Sequence, residues 1–307
     1  MKYGVSLIVR GEDAGPETFD AMAQKAEAID LDILWSSDHL VMMPMIHSKY
    51  PGTADGQMPE GWKRKYYQPF STLNYVAART SRIRIGTSVL ILPMRNPIEV
   101  AAQVAELDQL SGGRASFGVG VGWFQEEYEA LGYPFNKRGK RCNEGLEILK
   151  KLWTGAEASH KGEFFSFEGA RLGPRPVQDP HPPIYVGGHT PAAIRRAARF
   201  ADVWHPFKVL PEDLVELKPQ LDAALADEGR SGDGFPIAPK ILLAFQDGPP
   251  GDGQPPTQGR AQDIVDALKR YQDAGATEFC FDIAPETTQN ALDTMERFAQ
   301  EVRPKLS

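Results

Sequence analysis

The 307-residue sequence predicts an α/β protein built as a (β/α)8 TIM barrel, with insertions after strand 2 and between helix 4 and strand 5. Three observations predict it. Short apolar runs alternate with longer stretches whose apolar residues recur at helical spacing, a rhythm that implies parallel strand pairing. Eight such strand-then-helix units can be counted along the chain. The length suits one barrel domain spanning 1–307. A doubly wound open sheet is the rival architecture.

The units follow in order. "YGVSLI" leads into a helix opened by Pro16, in which Phe19, Met22, Ala23 and Ala26 share one face. "DILWS" is the second strand, followed by an irregular, lid-like insertion over 41–67 and the helix "PFSTLNYVAART". "RIRIGTSVLI" and "PIEVAAQVAELDQL" come next, the helix stopping at Ser111-Gly112-Gly113. "ASFGVGVG" is the fourth strand, with "KRCNEGLEILKKLW" as its helix. Residues 155–183 break the rhythm and read as a hairpin and a proline-rich connection. It resumes with "IYVGG", "ADVWH", "IAPKILLAF" and "TEFCFDI", each followed by a helix. The segment 247–259, rich in Pro and Gly, reads as an exposed, mobile connector.

Composition excludes several classes. A net charge of −7 argues against a nucleic-acid binder, whose footprint is basic. No apolar run reaches the length of a membrane span, and "MKYGVSLIV" is too short for a signal core, so a soluble, cytoplasmic protein is expected. Cys142 and Cys280 are too few and too far apart for a disulfide framework, and Cys280 reads as a core residue. No His or Cys spacing suggests a metal site. His160 and His181 fall in the hairpin insertion and read as surface residues.

Barrel ligands meet the carboxyl ends of the strands, so the strand ends form a site list. Strand two ends at Asp38-His39: a carboxylate for a polar ligand edge beside an imidazole able to move a proton, or a loop aspartate capping amides beside a surface histidine. "VGGHTPAA" places Gly187 and Gly188 before Thr190, a plausible N-cap, and Pro191, which is either a phosphate cradle or a tight turn. The glycines at 118, 120 and 122 are not a dinucleotide fingerprint. They allow close approach of a ligand ring or of barrel backbone.

"LWSSDH", the string "LSGGRASFGVGVGWFQEEYEALG", "KRCNEGLEILKKLW" and "PPIYVGGHTPAAIRRAARFADVW" together resemble the luciferase-like oxidoreductases, and more narrowly the branch using the deazaflavin coenzyme F420. The resemblance implies a barrel with the cofactor at its mouth. It implies that Asp38 contacts the polar edge of the deazaflavin and that His39 lies beside its reactive carbon; from there His39 is expected to act as general acid or base on a small, largely apolar substrate. It also implies a cis peptide at Ser88–Val89 supporting the ring, a phosphate loop at Gly187, Gly188, His189 and Thr190, and Trp123 and Glu126 along the ring and ribityl tail. A homodimer is expected on the same ground. FMN-using relatives often carry Glu-His where this chain has Asp38-His39, which favours the deazaflavin; an FMN-dependent monooxygenase fed by a separate reductase is the alternative. Arg10 and Asp282 occupy strand ends where the family's sugar-phosphate dehydrogenases bind substrate, which disfavours a phosphorylated sugar. Met42, Met43, Met45, Met58, Trp62, Tyr66 and Tyr67 suggest an adaptable apolar chamber under the 41–67 segment.

Overall fold

A computed structural model describes residues 1–53 and 55–306; Ala54, inside the 41–67 insertion, and Ser307 lie outside them. The elements are β1 (Lys2–Ser6), α1 (Pro16–Ala28), β2 (Ile33–Ser36), α2 (Pro69–Ala77), β3 (Arg84–Thr87), β4 (Leu90–Ile91), α3 (Pro97–Leu110), β5 (Ala115–Gly120), α4 (Gln125–Ala130) and α5 (Arg138–Trp153). They continue with β6 (Ala158–Lys161), β7 (Ser166–Ala170), β8 (Ile184–Gly187), α6 (Pro191–Phe200), β9 (Val203–His205), α7 (Pro211–Asp227), β10 (Lys240–Phe245), β11 (Gln258–Gly259), α8 (Ala261–Asp273), β12 (Glu278–Ile283) and α9 (Thr288–Arg297).

Parallel neighbours run β10-β12-β1-β2-β3-β5-β8-β9. Isolated parallel bridges from Trp204 to Ile237 and from Phe207 to Lys240 bring β9 back to β10 and close the barrel, as the alternation predicts. The predicted third strand is divided. β3 stops at Thr87, the Ser88–Val89 peptide is cis as the resemblance implies, and β4 then pairs with β5.

Alternation sorts each strand between two cores. On β12, Phe279, Phe281 and Ile283 join the large core between strands and helices, whereas Cys280 joins Trp35 and Tyr185 inside the barrel. The interior is layered. Toward the strand starts, Tyr185 Oη donates to Glu278 (2.8 Å), which also holds Lys2 (2.6 Å). Above them Trp35 packs edge-on to Tyr185 and parallel to His205. Gly4 and Gly86 make room for Trp35, since a Cβ on either would stand 2.6 Å from its ring, and at Gly118 a Cβ would stand 1.8 Å from the Thr87 carbonyl oxygen. Close approach of barrel backbone therefore accounts for Gly118.

The insertion after β2 contains a short 3-10 turn at Glu60–Lys63 and an antiparallel bridge from Tyr66 to Arg10. The second insertion holds the predicted hairpin, β6 against β7. His160 is not a surface residue: it is 8% exposed, with Nε2 3.2 Å from Glu144 Oε1. The Glu144 carboxylate also accepts from the amides of Phe164 and Phe165, so one carboxylate of α5 staples the hairpin to the barrel and takes His160 with it. The side chain of His181 is likewise only 8% exposed and packs against Trp153. The 247–259 connector ends as a short strand, since β11 pairs with β10 and the buried Thr257 donates to the Leu242 carbonyl.

Candidate active site

The strand ends converge on one cavity of about 550 Å³, lined by nine of the ten site residues named from the sequence; Glu126 is the exception.

One end is a helix terminus. β8 delivers Gly187 and Gly188, and Gly188 has φ +96, a conformation that glycine adopts without steric cost. Thr190 caps α6, its Oγ1 accepting from the Ala193 amide (3.3 Å), with Pro191 in the first turn. Helix geometry leaves the Ala192 amide without an intrahelical partner. His189 and Arg138 also line this end. Arg138 lies over the Phe135 ring (3.8 Å), and its buried Nε has no hydrogen-bond partner. Bare helix amides, a glycine approach and an unpartnered guanidinium N–H suit a phosphate, so the residues present fit a phosphate-bearing cofactor.

The floor is the Ser88–Val89 segment. A Cβ on Gly120 would meet Val89 Cγ2 at 2.6 Å, so Gly120 gives Val89 its place. Ser88 is clamped from two sides: its carbonyl accepts from Lys240 Nζ (3.0 Å) and its hydroxyl lies 2.8 Å from His205 Nε2. His205 Nδ1 is 2.5 Å from the Ala238 carbonyl and must donate to it, so Nε2 accepts from Ser88. Burial and the nearby Lys240 push His205 down to about 4. Asp38 lines the cavity, but its carboxylate accepts from the Ile91 amide (2.9 Å) and pairs with Arg95 (2.6 Å). It thus fixes the chain just after the floor while also facing the cavity.

His39 is buried, not a surface histidine. Its Nδ1 lies 2.7 Å from Oε2 of the fully buried Glu127, whose Oε1 accepts from the amides of Leu40 and Val41. A carboxylate that only accepts places the proton on Nδ1, which leaves Nε2 to the cavity that His39 lines. Trp123 stands edge-on to His39 and stacks on Phe124. Glu126, one residue earlier, faces elsewhere. It accepts from the His47 and Ser48 amides and from Ser48 Oγ, anchoring the 41–67 segment.

The far end mixes apolar and charged groups. Of the predicted chamber residues, Met58, Trp62 and Tyr66 line it, joined by Tyr50 and Phe207. Met42 borders a separate, smaller cavity and Met45 is 72% exposed. Arg10 stacks over Trp62 (3.7 Å), donates to Ser37 Oγ (3.0 Å) and pairs with Glu286. Lys240 lies 3.3 Å from Asp282. Burial opposes the charge on Asp282, but Lys240 and Arg10 outweigh it and lower its pKa. Burial raises Glu286 despite Arg10.

The sequence places Glu126 and Glu127 together just beyond the fourth strand end and gives a role along the cofactor to Glu126 only; it singles out neither Arg138 nor Lys240. A lysine opening the apolar run "KILLAF" and an arginine opening α5 were the available signals. Among the described residues no group of three His, Cys, Asp or Glu is arranged to hold a metal ion, and no helix is long and apolar enough to cross a membrane.

A closed parallel barrel with its cavity at the carboxyl ends of the strands is the plan of a barrel enzyme. The chain belongs to the luciferase-like monooxygenase family, whose profile matches residues 1–249. It is 32% identical over 302 residues to an uncharacterized protein of Mycobacterium tuberculosis, covering 97% of this chain and 98% of that protein. It is 30% identical over 221 residues to the 5,10-methylenetetrahydromethanopterin reductase of Archaeoglobus fulgidus (65% of this chain, 64% of the reductase). It is 32% identical over 173 residues to an FMNH2-dependent dimethylsulfone monooxygenase of Pseudomonas putida (55% and 47%). The solved coenzyme F420-dependent tetrahydromethanopterin reductase of Methanopyrus kandleri shares the fold, with a TM-score of 0.80 at 18% identity over 100% of this chain and 99% of that one.

Proposed function

We propose that the protein is a coenzyme F420-dependent oxidoreductase acting on a small organic substrate, with His39 as its general acid and base. The observation that carries the reading is the imidazole fixed by buried Glu127, with Nε2 left to a cavity whose floor is Ser88–Val89. Asp38-His39 at the end of β2, where FMN-using relatives often carry Glu-His, favours the deazaflavin over FMN.

The deazaflavin, when bound, gives or takes a hydride. Gly188, the α6 amides and Arg138 would hold its phosphate, and Val89 would support its ring. Lys240 and His205 keep Ser88 in place beneath. Asp38, already bound to Arg95, positions the strand that carries Val89 and Ile91. His39 Nε2 takes the proton from a substrate hydroxyl in the oxidation direction and returns it to the carbonyl oxygen in the reverse. Tyr50, Trp62 and Phe207 exclude water from that exchange.

The test is a titration of purified protein with the deazaflavin and with FMN, followed by quenching of Trp123 fluorescence. Micromolar or tighter deazaflavin binding with FMN much weaker supports the reading. The reverse preference moves the protein to the oxygenases and to a separate reductase partner.

A further inference from the structure

Eight buried side-chain polar atoms lack a hydrogen-bond partner among the described residues, and three of them, Arg10 Nε, Asp282 Oδ1 and Glu286 Oε2, fall in the ion-pair cluster at the far end of the cavity. Buried polar atoms are rarely left without partners, so such a concentration marks a place built for a ligand. Arg10, 9% exposed, and Asp282 both line the cavity. The two are of opposite kind: Arg10 Nε–H has no partner and can only donate, whereas Asp282 Oδ1, which faces Lys240 Nζ at 3.3 Å outside hydrogen-bond geometry, can only accept.

Charge narrows the ligand further. Arg10 is matched by Glu286 and Lys240 by Asp282, so the cluster is built of two ion pairs; Lys208, which also acts on Asp282, already donates to the Gly52 carbonyl. A carboxylate or phosphate entering here meets Asp282 and Glu286, and an ammonium meets Arg10 and Lys240. Either also has to break an existing pair, which leaves a buried charge uncompensated. A hydroxyl does neither: its oxygen accepts from Arg10 Nε while its hydrogen goes to Asp282 Oδ1.

We infer that the substrate carries, at the end away from the reacting carbon, a neutral group that both donates and accepts, namely one or two hydroxyls seated between Arg10 and Asp282, with its apolar body against Trp62, Tyr50 and Phe207. This deepens the oxidoreductase reading, on which the word substrate rests; the subsite itself stands on Arg10, Asp282 and Glu286 alone.

The experiment measures binding of hexane-1,2-diol, hexanoate and hexylamine, which share one apolar body, by calorimetry and by Trp62 fluorescence. Each is titrated into the protein alone and after saturation with the deazaflavin. The diol is expected to bind about tenfold more tightly than either ion, the cost of opposing a buried like charge. Asp282→Asn and Glu286→Gln, both near-isosteric, are expected to weaken the diol about fivefold and to strengthen hexanoate, since each removes an acceptor and a negative charge. The inference is overturned if hexanoate or hexylamine outbinds the diol, if none of the three binds, or if both variants leave the ranking untouched. Failure to bind the deazaflavin sinks the oxidoreductase reading and leaves the ranking on the protein alone as a separate result.

Discussion

Glu127 Oε2 lies 2.7 Å from His39 Nδ1, and the same carboxylate takes the amides of Leu40 and Val41 on its other oxygen. One buried group therefore sets both the tautomer of the imidazole and the first turn of the segment that follows it. Glu127→Gln cannot do both, because one of its two terminal atoms becomes an N–H donor. If the amide oxygen stays on the backbone, the NH2 faces Nδ1 and drives the proton to Nε2, removing the base. Turnover is expected to fall by ~10²–10⁴, close to the loss in His39→Ala, because proton transfer is coupled to the chemistry. Cofactor affinity should stay within about threefold, as neither residue is assigned to the phosphate end. Stopped-flow single turnovers check the first statement and equilibrium titration the second; unchanged turnover in His39→Ala removes the acid–base role.

His205 makes the stability of the barrel depend on pH. Its pKa is pushed from 6.5 to about 4 in the folded chain, by burial and then by Lys240. The unfolded chain thus binds the proton more readily between those values. Stability from this group is complete above about pH 6.5 and is lost as the pH falls toward 4, a loss of ~3 kcal/mol. His205→Asn can keep the bond to the Ala238 carbonyl but does not titrate. Urea unfolding at pH 7 and pH 4.5 is expected to show a smaller difference in the variant than in the parent chain.

Glu126 anchors residues 47 and 48 through two amides and one hydroxyl. Burial opposes its ionisation, but those bonds, led by Ser48 Oγ, lower its pKa to about 2. Glu126→Ala is expected to raise hydrogen exchange over 41–53 by about tenfold or more while exchange in the barrel strands stays unchanged, because local opening is set by local contacts. Peptide-resolved exchange mass spectrometry reads both. Equal exchange in the two proteins means that the segment is held by other contacts, Lys208 to the Gly52 carbonyl among them.

The helical face of α1, the closed alternation of strands and helices, Thr190-Pro191 at the start of α6 and the placement of Asp38-His39 at the rim were all legible, because each is a local pattern. The cis peptide at Ser88–Val89 came through resemblance to a family, since nothing in the local residue types requires it. Glu126 and Glu127 show where local pattern stops. They are neighbours on a six-residue helix, and which of them turns inward depends on how α4 leaves β5. His160 looks exposed from its own segment because its partner, Glu144, is on another element. Arg10 with Glu286 and Lys240 with Asp282 pair residues far apart in the chain, and only barrel closure brings them together.

Arg138 lines the cavity whose α6 end is proposed to take the phosphate. Its Nε is buried and unpartnered in the cavity it lines with Gly188 and Thr190, which suits a charge-assisted bond to an anion. Such a bond is worth ~1.5–3 kcal/mol, which corresponds to a loss of about tenfold to a hundredfold in affinity when it is removed. Weaker binding alone would not locate the contact. The deciding comparison is between each cofactor and its phosphate-free form, deazaflavin against its riboflavin-like core and FMN against riboflavin. In the parent chain the phosphate is expected to improve affinity, and in Arg138→Leu most of that improvement should vanish while the phosphate-free forms bind as before. The argument holds for whichever ring the protein prefers, because it concerns the phosphate only. If Arg138→Leu weakens both forms equally, the guanidinium supports the ring or the fold, and the phosphate is left to the α6 amides and Thr190.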